Sequence, residues 1–198
     1  MNREHIDEIK PQSFLSEVSA IRERARRHIE EGAVTANYSA DKAVVLRLLN
    51  EALATEVVCV LRYRRHYFMA QGVLAEAVKK EFLEHSREEQ EHADLIAERI
   101  VQLGGAPNLD PAGLTERSHA EYAEGANLEE MIKEDLIAER IAIESYKEII
   151  DYLGAHDPTS RRVMESILAK EEEHAEDLSS MLQGVHELGG KPRGSAAR

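Results

Sequence analysis

Apolar residues recur at helical spacing in four long stretches of this chain, separated by polar and helix-breaking residues. Capping residues and breakers set the ends of the four predicted helices, at residues 39–72, 73–103, 127–154 and 157–183. Asn127 with Glu130 is typical of a capping box, and Asp157 before Pro158 supplies a cap and a first-turn proline. The pattern predicts an all-α fold in which one long crossover, residues 104–126, joins two helical hairpins.

The two ends of the chain differ from this pattern. The extension over residues 1–38 is predicted to hold one short amphipathic helix with the apolar positions Phe14, Val18, Ile21 and Ala25. Its arginines are interpreted as a solvated face: Arg22, Arg24, Arg26 and Arg27. The bundle is expected over residues 39–184, and a flexible, glycine-rich tail over residues 185–198.

Composition narrows the class of protein. The chain has 198 residues and a formal net charge of −13, which suits a protein that attracts cations and argues against a general nucleic-acid binder. Its single cysteine, Cys59, excludes a disulfide framework and is interpreted as a small core residue. No apolar run approaches membrane-spanning length, and the segment Met1–His5 is not the start of a signal peptide, so we expect a cytoplasmic protein without membrane contact.

Two copies of Glu-x-x-His are the most informative motif. Each copy follows a lone glutamate, by 33 residues in the first half and by 32 in the second. The candidate metal ligands and catalytic residues are therefore four glutamates and two histidines: Glu56, Glu89, His92, Glu139, Glu171 and His174. A single motif of this kind is common on solvated, glutamate-rich helices. The mirrored repeat, however, is typical of a two-metal site inside a helical bundle.

The predicted helices bring these residues to one level of the bundle. In each hairpin the two glutamates lie 16 or 17 residues from the turn, which is roughly 25 Å at a helical rise of ~1.5 Å per residue. The i,i+3 spacing places both members of each motif on one helix face, and that face is otherwise apolar. Buried carboxylates need compensating cations, and two divalent ions balance four carboxylates.

The donor set also indicates the metal. Oxygen-rich ligation with one imidazole per ion favours iron or manganese over zinc. Tyr63 and Tyr146 each follow a lone glutamate by seven residues, and they are expected to hydrogen-bond the ligands, to donate an electron or to fill core space. His85 is a candidate for guiding ions, although a position beside the ligands or a partly exposed one is the favoured interpretation.

The chain resembles the ferritin-like superfamily, and bacterioferritins in particular, over most of residues 46–182. The resemblance rests on five segments: Leu48-Leu49-Asn50 leading to Glu56, Tyr63 and His66; Glu89-Gln90-Glu91-His92-Ala93-Asp94; Leu103–Leu109; Asp135–Glu139; and Ile167–His174. It implies a ferritin-like four-helix bundle that holds two iron ions per subunit. By this resemblance Glu89 and Glu171 bridge the irons. The remaining ligands complete the two positions, Glu56 with His92 and Glu139 with His174.

The same resemblance implies oxidation of Fe(II) and storage of ferric mineral inside a hollow, homo-oligomeric shell. Bacterioferritins bind haem through a methionine directly after the first motif's glutamate. Gln90 stands at that position, so haem is not expected. Bacterioferritins also carry a fifth helix where this chain has a short glycine-rich tail, which leaves both a 24-subunit cage and a 12-subunit, Dps-like shell open.

We therefore expect a ferroxidase that stores iron and uses O2 or H2O2 as oxidant. A di-iron or di-manganese enzyme without storage, such as a peroxidase, a catalase-like protein or an oxygenase, stays open because the ligand set alone does not exclude it. A DNA-protecting, Dps-like assembly is the other alternative. It depends on Lys191, Arg193 and Arg198, and three positive charges on so acidic a chain argue against DNA binding.

Overall fold

The computed structural model describes residues 17–72 and 75–189, and the regular elements of this part of the chain are helical. Within these described ranges, six α-helices follow one another: α1 Val18–Arg24, α2 Lys42–Met69, α3 Ala75–Gln102, α4 Leu114–Arg117, α5 Leu128–Leu153 and α6 Pro158–Gly189. The chain divides into two compact units, residues 1–38 and residues 39–198. The all-α fold predicted from the sequence is confirmed.

The larger unit is a bundle of the four long helices. Helix α2 packs along α3, and α5 packs along α6, so that each pair forms a hairpin. The hairpins meet through α2 with α5 and through α3 with α6. The crossover between the hairpins contains α4, a short helix that packs on α2 and that the sequence analysis did not predict. The result is the predicted four-helix bundle with an extra N-terminal helix.

Side-chain caps set where the long helices begin. Asn127 accepts from the backbone N–H of Glu130 at 3.0 Å, which confirms the predicted cap. The Glu130 carboxylate accepts from the N–H of Ala126 at 2.9 Å, one residue before the N–H that a strict capping box uses. Asp157 caps α6 as predicted, through the backbone N–H of Ser160. Helix α2 is capped by Asp41, whereas the sequence analysis placed this start at Ser39.

The C-terminal boundary of the bundle is also corrected. The sequence predicts a fourth helix that ends near residue 183 and a bundle that ends at residue 184, but α6 continues to Gly189. Apolar side chains of its last turns, Leu182 and Val185, pack against the bundle core, and His186 lies 2.8 Å from Glu129. These contacts offset the cost of about 1 kcal/mol for a glycine inside a helix, here Gly184. The rest of the predicted flexible tail, residues 190–198, lies outside the described residues.

The N-terminal unit contains α1 and a single 3-10 turn at Ile29–Glu31. Helix α1 has no buried residue, and its apolar side chains Val18 and Ile21 are exposed. The amphipathic helix of the sequence analysis is therefore present as seven residues, while its predicted position Phe14 lies outside the described residues.

A polar cluster in the bundle holds the crossover in place. Arg62 Nε donates to Asp135 at 2.8 Å, and His66 Nδ1 lies 2.8 Å from the other oxygen of the same carboxylate. The far ends of both side chains reach backbone carbonyl oxygens of the crossover, those of Glu121 and Glu124. All three side chains of the cluster are fully buried, so the pairing compensates charges that would otherwise be costly.

The apolar core surrounds the middle of the bundle, and Cys59 belongs to it, as predicted. Among residues 17–72 and 75–189, no helix is both long and apolar enough to cross a membrane.

Candidate metal centre

Six buried side chains meet in the middle of the bundle, one each from α2 and α5 and two each from α3 and α6. They occupy the positions that the sequence analysis singled out: Glu56, Glu89, His92, Glu139, Glu171 and His174. None of them is more than 6% exposed. Apolar side chains on the same helices are equally buried, for example Leu53, Phe82, Ile132 and Ile167. Carboxylates in such surroundings are costly unless cations or protons compensate them.

The six side chains form two overlapping groups of four donors. One group contains Glu56, Glu89, His92 and Glu171, and the other contains Glu89, Glu139, Glu171 and His174. Within each group the donor atoms lie within 4.8 Å of one another. Two ions held by these groups would share two carboxylates, and each would have one carboxylate and one imidazole of its own.

Both imidazoles direct Nδ1 at the carboxylates. His92 Nδ1 lies 2.9 Å from Glu171 Oε1 and 3.5 Å from Glu56 Oε2. His174 Nδ1 lies 3.2 Å from Glu89 Oε1 and 3.8 Å from Glu171 Oε2. Each ring therefore faces a shared glutamate of the other hairpin.

Two tyrosines hold the lone glutamates. Tyr63 donates to Glu139 Oε1, and Tyr146 donates to Glu56 Oε1, so each phenol reaches across to the other hairpin. Burial, followed by the charge of the accepting carboxylate, raises the pKa of each phenol well above its ordinary value. Both side chains consequently remain hydrogen-bond donors, which is one of the three roles that the sequence left open for them.

Several atoms of the centre have no hydrogen-bond partner among the described residues: Glu56 Oε2, His92 Nδ1, Glu139 Oε2 and Glu171 Oε1. His92 Nδ1 and Glu171 Oε1 are close together but lack the alignment of a hydrogen bond. Buried polar atoms normally have partners, so four unpaired atoms at one place point to a ligand. All four can donate a lone pair to a cation, and the residues present therefore fit two divalent metal ions.

Protons take the place of cations in the metal-free centre. Burial, followed by the charge of Glu89, raises the pKa of Glu56, Glu139 and Glu171 above the usual value of a glutamate. Glu89 differs, because hydrogen bonds from its neighbours outweigh its burial and lower its pKa well below that value. Glu89 is therefore the glutamate that most strongly favours its charged form, whereas the other three favour the protonated form more than a free glutamate does.

The two imidazoles are charged in the metal-free centre. Burial opposes the charge on His92, but the neighbouring carboxylates of Glu56 and Glu89, 3.5 and 3.7 Å from Nδ1, outweigh it and raise the pKa to about 10. The pKa of His174 is raised to about 9, against burial, mainly by its hydrogen bond with Glu89. Coordination through Nδ1 requires a neutral ring, so metal ions must displace these protons.

Two further side chains line the outer side of His174. Glu88 Oε2 lies 2.9 Å from His174 Nε2, an arrangement that fixes the ring orientation. His85 is buried and stacks on His174 with 4.1 Å between ring centroids, and its Nδ1 lies 3.3 Å from the hydroxyl of Tyr63. Burial, followed by the charge of His174, lowers the pKa of His85 to about 3. His85 thus takes the favoured position beside the ligands, whereas sequence reasoning missed Glu88, because its contact depends on how α3 and α6 are rotated against each other.

Comparison with known proteins defines the class. Residues 46–193 match the family model described as a ferritin-like domain. The chain therefore belongs to the ferritin-like family.

Individual relatives narrow the class further. The chain is 32% identical to a bacterioferritin of Rhodobacter capsulatus over 158 residues, which cover 78% of this chain and 91% of that protein. It is 30% identical to a nutrient stress-induced DNA-binding protein of Synechococcus over 139 residues, or 68% of this chain and 78% of that protein. Among solved structures, a bacterioferritin-related protein of Bacteroides fragilis, a dodecameric thioferritin, aligns with a TM-score of 0.73 and 32% identity over 76% of this chain and 90% of its own. The family and these relatives support a ferritin-like function in iron storage.

Proposed function

We propose that this protein is a ferroxidase that stores iron, and that Fe(II) is oxidised at the centre formed by the two groups of four donors. The observation that carries the proposal is the sharing of Glu89 and Glu171 by both groups, together with the unpaired oxygens of Glu56, Glu139 and Glu171. Two Fe(II) ions held there would supply one electron each to a single O2 or H2O2 molecule and would become Fe(III). The glutamates and histidines of the two groups would lose their protons and bind the ions, and Tyr63 and Tyr146 would orient the lone glutamates.

The charges of the centre support two divalent ions. Four carboxylates without protons carry the charge that two Fe(II) ions balance, and the buried position makes this balance necessary. Glu56 with His92 would complete one position, and Glu139 with His174 would complete the other. Tyr146 and Tyr63 each occupy one oxygen of a lone glutamate, which leaves the second oxygen for an ion. Manganese suits the same donors, so the native metal is part of the test.

Storage requires an assembled shell, and the proposal includes a homo-oligomer of 12 or 24 subunits. Its support is the dodecameric assembly of the Bacteroides fragilis relative and the identity shared with bacterioferritins. Haem is not part of the proposal, because the position after Glu89 is Gln90, whose amide donates to Asp94 at 3.0 Å.

Aerobic addition of Fe(II) to the purified protein tests the proposal. We expect rapid oxidation and a large particle that retains many ferric ions per subunit. A small oligomer that keeps only two metal ions per chain would favour the enzyme without storage. A particle that shifts DNA in a gel and leaves Fe(II) unoxidised would favour the DNA-protecting assembly.

Variants assign the oxidation to the centre. The double substitution Glu89→Gln with Glu171→Gln removes both shared carboxylates while keeping side-chain volume, and rapid oxidation should be lost. Glu91→Gln with Glu176→Gln is the matched control, since both residues lie on the same helices with exposed side chains. Equal oxidation rates in the two double variants would remove the site assignment.

A further inference from the structure

A second set of metal-binding side chains lies beside the centre, between α3 and α6. Glu81, His85 and Asp177 hold donor atoms within 4.8 Å of one another, and so do His85, Glu88 and His174. The two sets share His85, and the second shares His174 with the centre itself. Together with the His174 group of the centre, these sets form three overlapping groups of donors that lead from the exposed Asp177 to the buried centre.

The carboxylates of the row reach solvent, whereas its imidazoles are buried. Asp177 is exposed, Glu81 and Glu88 are half-buried, and His85 is 2% exposed. The His85 ring is fixed by its stacking on His174 and by an edge contact with Tyr63 at 5.3 Å between centroids. A fixed imidazole next to carboxylates that reach solvent is a donor set that can bind a divalent transition-metal ion from the surrounding water.

The charge around the row favours cations. Burial, followed by the charges of Glu84 and Asp177, raises the pKa of Glu81. Lys170 lies near the inner end of the row, where its ammonium group is engaged by Glu173 at 2.7 Å and lies 3.9 Å from Glu88. Glu81, with other acids on both sides, thus sits in a negative potential that attracts a metal ion.

The internal repeat provides a comparison, because Glu89 and His92 of α3 correspond to Glu171 and His174 of α6. The positions equivalent to Glu81, His85 and Asp177 are all apolar: Val163 and Ile167 on α6, and Leu95 on α3. The equivalent of Glu88 is Lys170. Packing of the bundle therefore does not by itself call for donors at these positions. The row of donors occurs on the His174 side of the centre, whereas three apolar residues and a lysine stand at the equivalent positions on the His92 side.

We propose that Glu81, His85 and Asp177 form a third site, which takes up a divalent transition-metal ion such as Fe(II) from solvent, and that Glu88 and His174 pass this ion to the buried centre. The passing step rests on the proposed function, whereas the third site stands on its own donors.

The contacts of His174 explain why the inner step is transient. Its Nε2 faces Glu88 at 2.9 Å, and its Nδ1 faces Glu89 at 3.2 Å. A neutral imidazole has one lone pair for a metal ion, since its other nitrogen carries a hydrogen. The ring therefore binds an ion on one side at a time, and an ion next to Glu88 must leave before His174 serves the centre.

Counting bound Co(II) by equilibrium dialysis tests the third site, with Co(II)-soaked crystals and anomalous diffraction to locate each ion. The substitutions Glu81→Gln and Asp177→Asn together should lower Co(II) affinity at this site by about tenfold or more and remove its anomalous peak. Glu98→Gln with Glu176→Gln is the control, because it removes the same charge from exposed positions of the same two helices. Unchanged Co(II) binding in the first double variant would overturn the proposal.

The same measurement on Glu89→Gln with Glu171→Gln separates the third site from the centre. This variant should keep the outer ion and lose the inner pair. Loss of every bound Co(II) would overturn the third site. Retention of all of them would instead sink the proposed centre and leave the third site standing.

Stopped-flow oxidation tests the passing step. Substitution of Glu81 and Asp177 should raise the Fe(II) concentration that gives half the maximal rate by more than it lowers the maximal rate. The reason is that these substitutions slow delivery of Fe(II) to the centre and leave the oxidation step itself intact. A fall in the maximal rate alone, with half-saturation as in the control, would contradict delivery through this row.

Discussion

Tyr146 of α5 donates a hydrogen bond to Glu56 of α2, and this contact has a mirror image in the bond from Tyr63 to Glu139. Each hairpin thus supplies the phenol that orients the other hairpin's lone glutamate. These two bonds therefore link the geometry of the metal centre to the packing of the two hairpins.

Replacement of either phenol should destabilise the metal-free protein. Tyr63→Phe or Tyr146→Phe leaves a buried carboxyl oxygen without its donor, which costs about 1–3 kcal/mol. Chemical unfolding in the presence of a chelator measures this cost. Tyr152→Phe on α5 is the control, since that ring is 45% exposed, and a loss as large in this variant would contradict the interpretation.

The stability of the metal-free protein should fall as the pH rises from 7 to 9. The folded protein holds the protons of His92 and His174 up to a pKa of about 10 and about 9, against 6.5 in an unperturbed histidine. The stabilisation is therefore complete below the unfolded pKa and is lost as the pH rises through the folded values. The raised pKa values of Glu56, Glu139 and Glu171 act in the same direction.

Melting temperatures measured across this range with a chelator present check the effect. His92→Gln with His174→Gln should flatten the dependence on pH. His186→Gln, at an exposed histidine of α6, should leave it as it is in the wild type. A melting temperature that rises with pH in the metal-free wild type would refute the assignment of protons.

Metal binding should release protons and tighten with pH. Both imidazoles hold protons in the metal-free centre at neutral pH, and the ions take their place, so about one proton or more should leave per bound ion. The raised pKa values of Glu56, Glu139 and Glu171 favour further release in the same direction. Titration with Mn(II) in a weakly buffered indicator solution measures the release. Binding without proton release would mean that the imidazoles are already neutral.

Asp135→Asn should cost far more stability than its distance from the centre suggests. The substitution leaves the guanidinium of Arg62 buried without its anion, which lowers the free energy of unfolding by about 3–5 kcal/mol. Asp151→Asn is the control, since Asp151 lies exposed on the same helix and its replacement should change the stability little. Urea unfolding of the two variants compares them directly. A loss below about 1 kcal/mol for Asp135→Asn would show that Arg62 finds another partner.

Local signals allowed most of the fold to be predicted from the sequence. Asn127 and Asp157 cap helices where their side chains indicated, because capping is decided within one turn. The start of α2 was misplaced because Ser39 and Asp41 are both capping residues, two positions apart. The end of α6 was misplaced because glycine at position 184 predicts a stop, while contacts with the rest of the bundle keep the helix going.

The positions of the six candidate ligands followed from spacing, since the glutamates of both halves lie at nearly equal distances from their hairpin turns, which fixes their level in the bundle. The side chains around them did not follow. Glu88 meets His174 across 86 residues of sequence, and Arg62 meets Asp135 across 73, so both contacts depend on the relative rotation of helices. Glu88 stands in a run of acids that spacing alone assigns to a solvated face.

The apolar Ile167 on one side of the centre and His85 on the other make the two halves of the bundle chemically unequal. On the proposed route, ions arrive from the His85 side, so the two positions fill in order and the nearer one is occupied first. A scarce supply of iron then yields chains with one ion and no partner for it. Oxidation would accordingly show a kinetic order in Fe(II) above one at low Fe(II) concentration. Fe(II) would then be oxidised slowly until both positions of a chain are filled.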